Sequence, residues 1–581
     1  MRGAERNTLH GPVVGLDNAA IDGTFAWKGV PFARPPVGDG RWRAPVDPDA
    51  WTAPRSAREF GAAAAQTGRL YGPGRNNRYD RTIGETLGKV TGSEDCLYLN
   101  IWSPAAATTP VPVIVYVHGG SNITGYTADP LYEGNTLAVR ANVVVVTVNY
   151  RLGVFGFLNL KALKEGSNAG TDSGNFALLD IVKALEFVRD NIANFGGDPG
   201  NVTLMGQSAG AVNVLSLMTS PLCVKAAPAL FHRIVPISGG ISLRSDLSLG
   251  KAPVLQPAAT HLAQGNALLE RSLVDEGAAS DVADAKAWIR QRGDAEIAAW
   301  LRGRSAASLL GTVLERLTPL GMAGSGPIPD GAVLPVGPIA AIRAGHYVKV
   351  PVLMGFTRDE GKLFAGALAL SRLLGGVSGR SMDDASVFSL QYDYDPDAPP
   401  QTQVEDWIPA RYLPVTTPRT GFNARTNQLN RFVFTPNRNL LLDVLRAQHE
   451  AVWDYQFDWD ELPAPFDDIY GAAHGFDIPF MFGKFEGALY SRLMNSRANR
   501  PGRLALSDAM MGSLAAFAWH GDPNHAGLGT TWPTWPAILL FNASLDAKAI
   551  SVAERSTSSL KESLTGLLGS AAASLKRLVA T

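Results

Sequence analysis

Residues 202–213 read VTLMGQSAGAVN. An apolar, partly β-branched run ends at Gly206, Ser208 stands between small neighbours, and a helix-forming run follows. This is the pattern of a strand handing over to a helix through a turn too tight for large side chains. Gly206-Gln207-Ser208-Ala209-Gly210 matches G-x-S-x-G, in which a serine on a strained elbow lifts its hydroxyl clear of a sheet. Bulky neighbours there would collide with the adjoining strand and helix. The helix N-terminus behind the serine brings free N–H groups and a partial positive charge.

Outward from this elbow the same rhythm repeats. Apolar runs at 98–102, 111–117, 143–149, 202–205, 234–237 and 350–355 predict strands. Between the third and fourth, FALLDIVKALEFVRDNIANF (176–195) places Leu178, Ile181, Leu185, Val188 and Ile192 at three- and four-residue steps, an amphipathic helix. GGDPGN (196–201) ends it and turns the chain into the next strand. Strands apolar on both faces, alternating with helices, predict an α/β protein with a mainly parallel central sheet flanked by helices. Blocks at about 245–320 and 365–450 lack the strand rhythm. They read as large helical and loop insertions covering the active site, on a single catalytic domain at 12–550. Residues 551–581 carry leucines on one helical side and read as a C-terminal helical tail docked on the body.

The 581 residues carry 52 Lys and Arg against 53 Asp and Glu, a net charge of -1. Neither nucleic acid nor an anionic membrane is an expected partner. No run approaches the roughly 18 apolar residues of a membrane span. The first residues, MRGAERNTLHGPVVG, lack the apolar core of a signal peptide. The expectation is a cytoplasmic protein if that N-terminus is native, and a periplasmic or secreted one if a leader was removed. The two cysteines, Cys96 and Cys223, allow at most one internal disulfide.

A serine hydroxyl is a poor nucleophile until a base takes its proton, so a histidine and an orienting carboxylate are required. His474, in GAAHGFDIPFMFG (471–483), sits on a Gly- and Ala-rich loop that can present an imidazole. His520 and His525 flank a turn and read as surface residues, while His118 reads as packing behind the glycines that follow it. For the acid, Glu360 in MGFTRDEGKLF (354–364) follows a strand end, with Asp359 beside it as competitor. The order serine, acid, histidine is that of α/β-hydrolases. Oxyanion donors are expected at the backbone N–H of Ala209 and in the glycine loop VHGGSNITG (117–125).

With these residues in place, the chain resembles the type-B carboxylesterases of the cholinesterase-like α/β-hydrolase family. SEDCLYLNIW (93–102) and FGGDPGNVTLMGQSAG (195–210) resemble its two signatures. KGVPFARPPVGDGRWRAP, VNYRLGVFGFL, LFHRIVPISGG, IPDGAVLPVGP, TRDEG and FAWHGDPN extend the match over about residues 12–545. The resemblance implies an α/β-hydrolase fold, Ser208 as nucleophile, Glu360 rather than Asp359 as acid, and His474 as base. Gly120, Ser121 and Ala209 fall on the oxyanion donors, with Gly119 as their neighbour. Arg41 with Glu94, and Arg151 with Asp180, fall where the family forms buried ion pairs. Ser238 belongs either to a hydrogen-bond network under the site or to the packing.

Three departures stand out. Gln207 replaces a frequent glutamate and removes a negative charge near His474, which should weaken attraction for cationic esters. Ser121 followed by Asn122 is larger than the family's usual glycine or alanine and is expected to narrow the site. Cys96 lies on a disulfide position whose upstream partner is missing, and is expected to be a buried free thiol, a bond to Cys223 being the alternative.

The reaction implied is hydrolysis of carboxylic esters through an acyl-enzyme, with no cofactor and no metal. A non-catalytic binding protein is disfavoured by the complete set Ser208, Glu360 and His474. The expected partner is a small- to medium-sized ester, acted on by a monomer or weak homo-oligomer. Amides, carbamates, polyesters or long-chain lipids are alternative substrates, since specificity lives in the two insertions.

Overall fold

The structure is a computed structural model that describes residues 3–166, 168–364, 384–488 and 490–555. Among these, eleven strands form the central sheet. In chain order they are β1 (Leu16–Asn18), β2 (Thr24–Pro31), β3 (Tyr98–Pro104), β4 (Val111–Val117), β5 (Val144–Val148) and β6 (Gly197–Gln207). The remainder are β7 (Arg233–Ile237), β8 (Val352–Thr357), β9 (Val452–Phe457), β10 (Ala537–Ala543) and β11 (Lys548–Glu554). Across the sheet the order is β11-β10-β9-β8-β7-β6-β4-β5-β3-β2-β1. The run from β10 to β5 is parallel. β1, β2 and β3 at one edge and β11 at the other pair antiparallel.

The sheet sits between two apolar cores, and strand parity assigns side chains to each. In β4, Val113, Val115 and Val117 pack on one side with Leu178, Ile181, Leu185 and Val188 of the helix Phe176–Asn191. Ile114 and Tyr116 pack on the other with Leu506, Met510, Leu514 and Phe517 of the helix Arg500–His520. A strand buried on both faces favours apolar residues on both, which is why VPVIVYV reads as a continuous run. The mainly parallel α/β architecture read from the sequence is the one observed.

The six anticipated strands all form. β6 begins at Gly197, inside the expected turn, with a register shift between Gly197 and Val202. β11 carries the sheet past residue 550, so residues 551–554 belong to a strand and not to the expected helical tail, because they pair with β10. The rest of that tail lies outside the described residues, as does the 365–383 part of the second insertion. The first insertion folds as the helices Ala258–Asp275, Val282–Arg290, Asp294–Arg302 and Ala306–Thr312, whose Leu268, Leu273, Ile297 and Leu309 share a core with Trp42, Phe155 and Phe176 of the body.

Both anticipated ion pairs are present; Arg151 and Asp180 are buried, whereas Arg41 is buried against a half-buried Glu94. Arg151 donates to both carboxylate oxygens of Asp180, at 2.8 and 2.6 Å. Arg41 donates to Glu94 from Nε and Nη2. Cys96 and Cys223 are both buried and free. Among the described residues no helix is long and apolar enough to cross a membrane.

Candidate active site

β6 ends at Gln207 and the helix Ala209–Thr219 begins at the next residue but one, so Ser208 is the hinge between them. Its backbone takes φ 57° and ψ −124°, a conformation that costs a non-glycine residue roughly 1–3 kcal/mol. Two backbone bonds hold it there, Ser208 N–H to the Ile237 carbonyl (2.8 Å) and Val212 N–H to the Ser208 carbonyl (3.0 Å). The flanking glycines are required by close approach. A Cβ at Gly206 would fall 2.5 Å from the Gly210 carbonyl oxygen, and one at Gly210 would fall 2.1 Å from that of Val117.

Glu360 follows β8 and is buried beneath His474. One carboxylate oxygen, Oε2, accepts from Nδ1 of His474. The other, Oε1, accepts from the Ser238 hydroxyl (2.6 Å) and the Thr357 N–H (2.9 Å). Ser238 therefore belongs to the hydrogen-bond network and not merely to the packing. Because a carboxylate only accepts, Nδ1 carries the imidazole proton and Nε2 is left as the acceptor. That Nε2 lies 3.0 Å from the side-chain nitrogen of Gln207. The rings of Phe364 and Phe434 stand 5.0 and 5.5 Å from the imidazole and cover it.

Asp359 has a different task. Its carboxylate pairs with Arg358 (2.8 Å) and accepts from the Ala472 N–H (3.1 Å), so it secures the loop that carries His474. Asp477, farther along that loop, accepts from the Tyr455 hydroxyl at 2.7 Å. Burial raises its carboxyl to about 6.

The glycine loop runs behind Ser208. Gly120, Ser121 and Asn122 all take positive φ, at 98°, 56° and 58°. Asn122 is buried and exchanges side-chain bonds with Asn213 of the serine's helix, at 2.9 and 3.4 Å, which ties the loop to that helix. His118 packs behind, as expected. Its Nδ1 meets the Gly119 carbonyl at 2.8 Å, its ring stacks on Tyr150, and burial pushes its pKa down to about 4.

Ser121, Ser208, Ala209 and His474 meet at one cavity of about 390 Å³. Its walls include Val254 and Leu255 before the first insertion's helices, and Phe364, Val433 and Phe434 around the second insertion. Glu360 lies behind His474 and does not line it. His261, Phe364 and Phe434 were not singled out from the sequence, because nothing in an insertion's composition says which of its side chains turn inward. Among the described residues no group of three or more His, Cys, Asp or Glu side chains is placed to hold a metal ion.

Comparison with known proteins gives the same picture over the whole chain. The model of the carboxylesterase family matches residues 3–557. The chain is similar to the para-nitrobenzyl esterase of Bacillus subtilis (29% identical, 91% of each chain covered). It is also similar to the fumonisin B1 esterase of Sphingopyxis macrogoltabida (30% identical, covering 91% of this chain and 84% of that one). Among solved structures, the Geobacillus stearothermophilus carboxylesterase EST55 at pH 6.2 superimposes with a TM-score of 0.67 at 30% identity, covering 94% of this chain and 98% of that one. A serine on a G-x-S-x-G elbow that shares its cavity with a carboxylate-held histidine, within a family match over residues 3–557, leaves one conclusion: the chain belongs to the carboxylesterase family and is a type-B carboxylesterase, a serine hydrolase of carboxylic esters.

Proposed function

We propose that Ser208 is the nucleophile, His474 the general base and acid, and Glu360 the residue that orients it, acting on small- to medium-sized esters in the cavity above Ser208. The observation that carries this reading is the Glu360–His474 bond. It puts the imidazole proton on Nδ1 and makes Nε2, which the Gln207 amide approaches at 3.0 Å, the accepting nitrogen beside the cavity that Ser208 also lines. In the first half-reaction Ser208 Oγ attacks the ester carbonyl carbon while its proton passes to His474 Nε2. The tetrahedral intermediate collapses as His474 returns that proton to the leaving alkoxide, and the acyl group stays on Ser208. Water then repeats the sequence and releases the acid.

Negative charge on the intermediate's oxygen is met by the N–H groups of Gly120, Ser121 and Ala209, with Gly119 shaping the turn before them. Ala209 opens a helix, so its N–H has no partner within that helix. Each such donor is worth on the order of 10²–10³ in turnover. The cavity's volume of about 390 Å³ supports a preference for short and medium acyl chains.

The test is pre-steady-state hydrolysis of 4-nitrophenyl esters from acetate to dodecanoate. A nitrophenol burst equal to the enzyme concentration is expected, with kcat/KM highest for the short and medium chains. Ser208→Ala should abolish the burst and reduce kcat on the order of 10⁶-fold. A burst of the same size in Ser208→Ala would remove Ser208 from the nucleophile's role.

A further inference from the structure

Among the described residues that line the cavity, one buried polar atom has no partner and no role in hydrolysis. His261 lies on the helix Ala258–Asp275 and is 6% exposed, and its Nε2 is buried with no hydrogen-bond partner among the described residues. It lines the same cavity as Ser208 and His474. The helix is pinned at its start, where Asn159 Nδ2 donates to the Ala258 carbonyl at 3.1 Å, so the imidazole is presented from a fixed position.

The other polar side chains that line the cavity and are buried are committed elsewhere. The Ser238 hydroxyl is bound to Glu360, and Asn122 is bound to Asn213. Asn437 donates to the carbonyls of Ala252 (3.1 Å) and Val433 (2.6 Å). His474 is held by Glu360 and Gln207. A buried polar atom left without a partner is costly, and its persistence within a cavity that receives a ligand points to a partner on that ligand.

The charge of that ligand follows from the lining. Among the described residues no Asp, Glu, Lys or Arg side chain lines the cavity. An ionised group brought in would lose its water without meeting a counter-charge. His261 supplies none, since burial holds its pKa down to about 4 and the ring is neutral from pH 5 to 8. A neutral imidazole offers one donor and one acceptor.

We propose that His261 binds a second polar group of the substrate, so that this enzyme's preferred substrates are uncharged esters bearing a hydroxyl, ketone or carboxamide away from the scissile bond. The proposal rests on ester hydrolysis at Ser208 and names the substrate class that this site selects. His261 is thus a specificity residue. It takes no part in proton transfer.

The experiment compares methyl esters of one chain length that end in methyl, hydroxyl, methyl ketone, carboxamide or carboxylate, over a series of lengths. Wild-type kcat/KM should favour at least one of the neutral polar esters over the plain one by roughly tenfold or more at the length that reaches His261, with no such gain for the carboxylate. In His261→Phe, which keeps a ring of similar shape, that ratio should fall to about one. His261→Met gives the same reading should the Phe variant fail to fold. Equal kcat/KM for polar and plain esters at every length, or a preference that survives both substitutions, overturns the proposal while leaving the esterase reading intact. Failure to hydrolyse any of these esters, with no uptake of a fluorophosphonate, would sink both.

Discussion

The side-chain amide of Gln207 lies 3.0 Å from Nε2 of His474, on the ring nitrogen opposite the one held by Glu360. Gln207 adjoins Ser208 in sequence, so the imidazole is held between a carboxylate on one side and a neutral amide on the other. The carboxylates of Glu360 and Asp477 both act on this ring.

Gln207→Glu would place a carboxylate against Nε2 of His474, the nitrogen we propose accepts the Ser208 proton. A negative charge there favours the imidazolium, so the acid limb of the kcat/KM profile on a neutral ester should move to higher pH, on the order of one pH unit. Relative kcat/KM for a choline ester over its uncharged isostere should rise. An unmoved acid limb would show that the amide does not touch the working base.

Glu360 and Asp359 are adjacent, yet their contacts differ, and so should their variants. Glu360→Gln keeps the shape but loses the carboxylate that fixes the Nδ1 proton, and kcat should drop by about 10³–10⁴ with the fold retained. Asp359→Asn loosens the Arg358 and Ala472 contacts and should lower the melting temperature while kcat falls far less. Steady-state kinetics and thermal melts on both variants separate the roles, and a reversed pattern would exchange them.

Much of this could be read beforehand, for physical reasons that differ by segment. Strands buried on both faces carry uninterrupted β-branched runs, as in VIVYV and NVVVVTV, and declare themselves. β9, VWDYQF, hides its nature because Asp454 is fully buried inside it, and β11 because its exposed edge position permits Lys548 and Glu554. Ser208 announced itself through the glycines that close packing demands. His474 could be picked out by its Gly- and Ala-rich loop and Glu360 by its strand end, but the choice of Glu360 over the adjacent Asp359 needed the family resemblance, since nothing local says which carboxylate meets the imidazole. His261 was not legible at all: THLAQG is an ordinary helix start, and only packing turns that imidazole into the cavity.

Gly119 abuts the elbow so closely that a Cβ there would fall 2.7 Å from Gln207 Oε1, 2.8 Å from the Gln207 carbonyl oxygen and 3.0 Å from Ser208 Cβ. Gly119→Ala should displace the donors that follow it and reduce kcat by on the order of 10² or more, with KM changed little. Activity within twofold of wild type would show that the loop does not shape the transition-state site.

Asp129 is buried, and its carboxyl is raised from the ordinary 3.8 to about 7, chiefly by burial, against a partial pull downward from the Leu131 N–H. The folded chain holds this proton up to about pH 7, whereas the unfolded chain releases it from 3.8. Its contribution to stability is therefore full below pH 3.8, declines as pH rises, and levels off above 7. Asp129→Asn should stabilise the fold at pH 8 by at most roughly 4 kcal/mol and leave it unchanged near pH 4. Denaturant melts at the two pH values check this; a gain of equal size at both would contradict it.

The central claim is that the Ser208 hydroxyl is made reactive by its setting, and covalent labelling reads this directly. Native enzyme treated with a fluorophosphonate at neutral pH, digested and sequenced by mass spectrometry, should carry one adduct on the peptide containing Ser208. His474→Ala should slow that labelling by several orders of magnitude. A label on another residue, or labelling at Ser208 that is indifferent to loss of His474, would contradict the account.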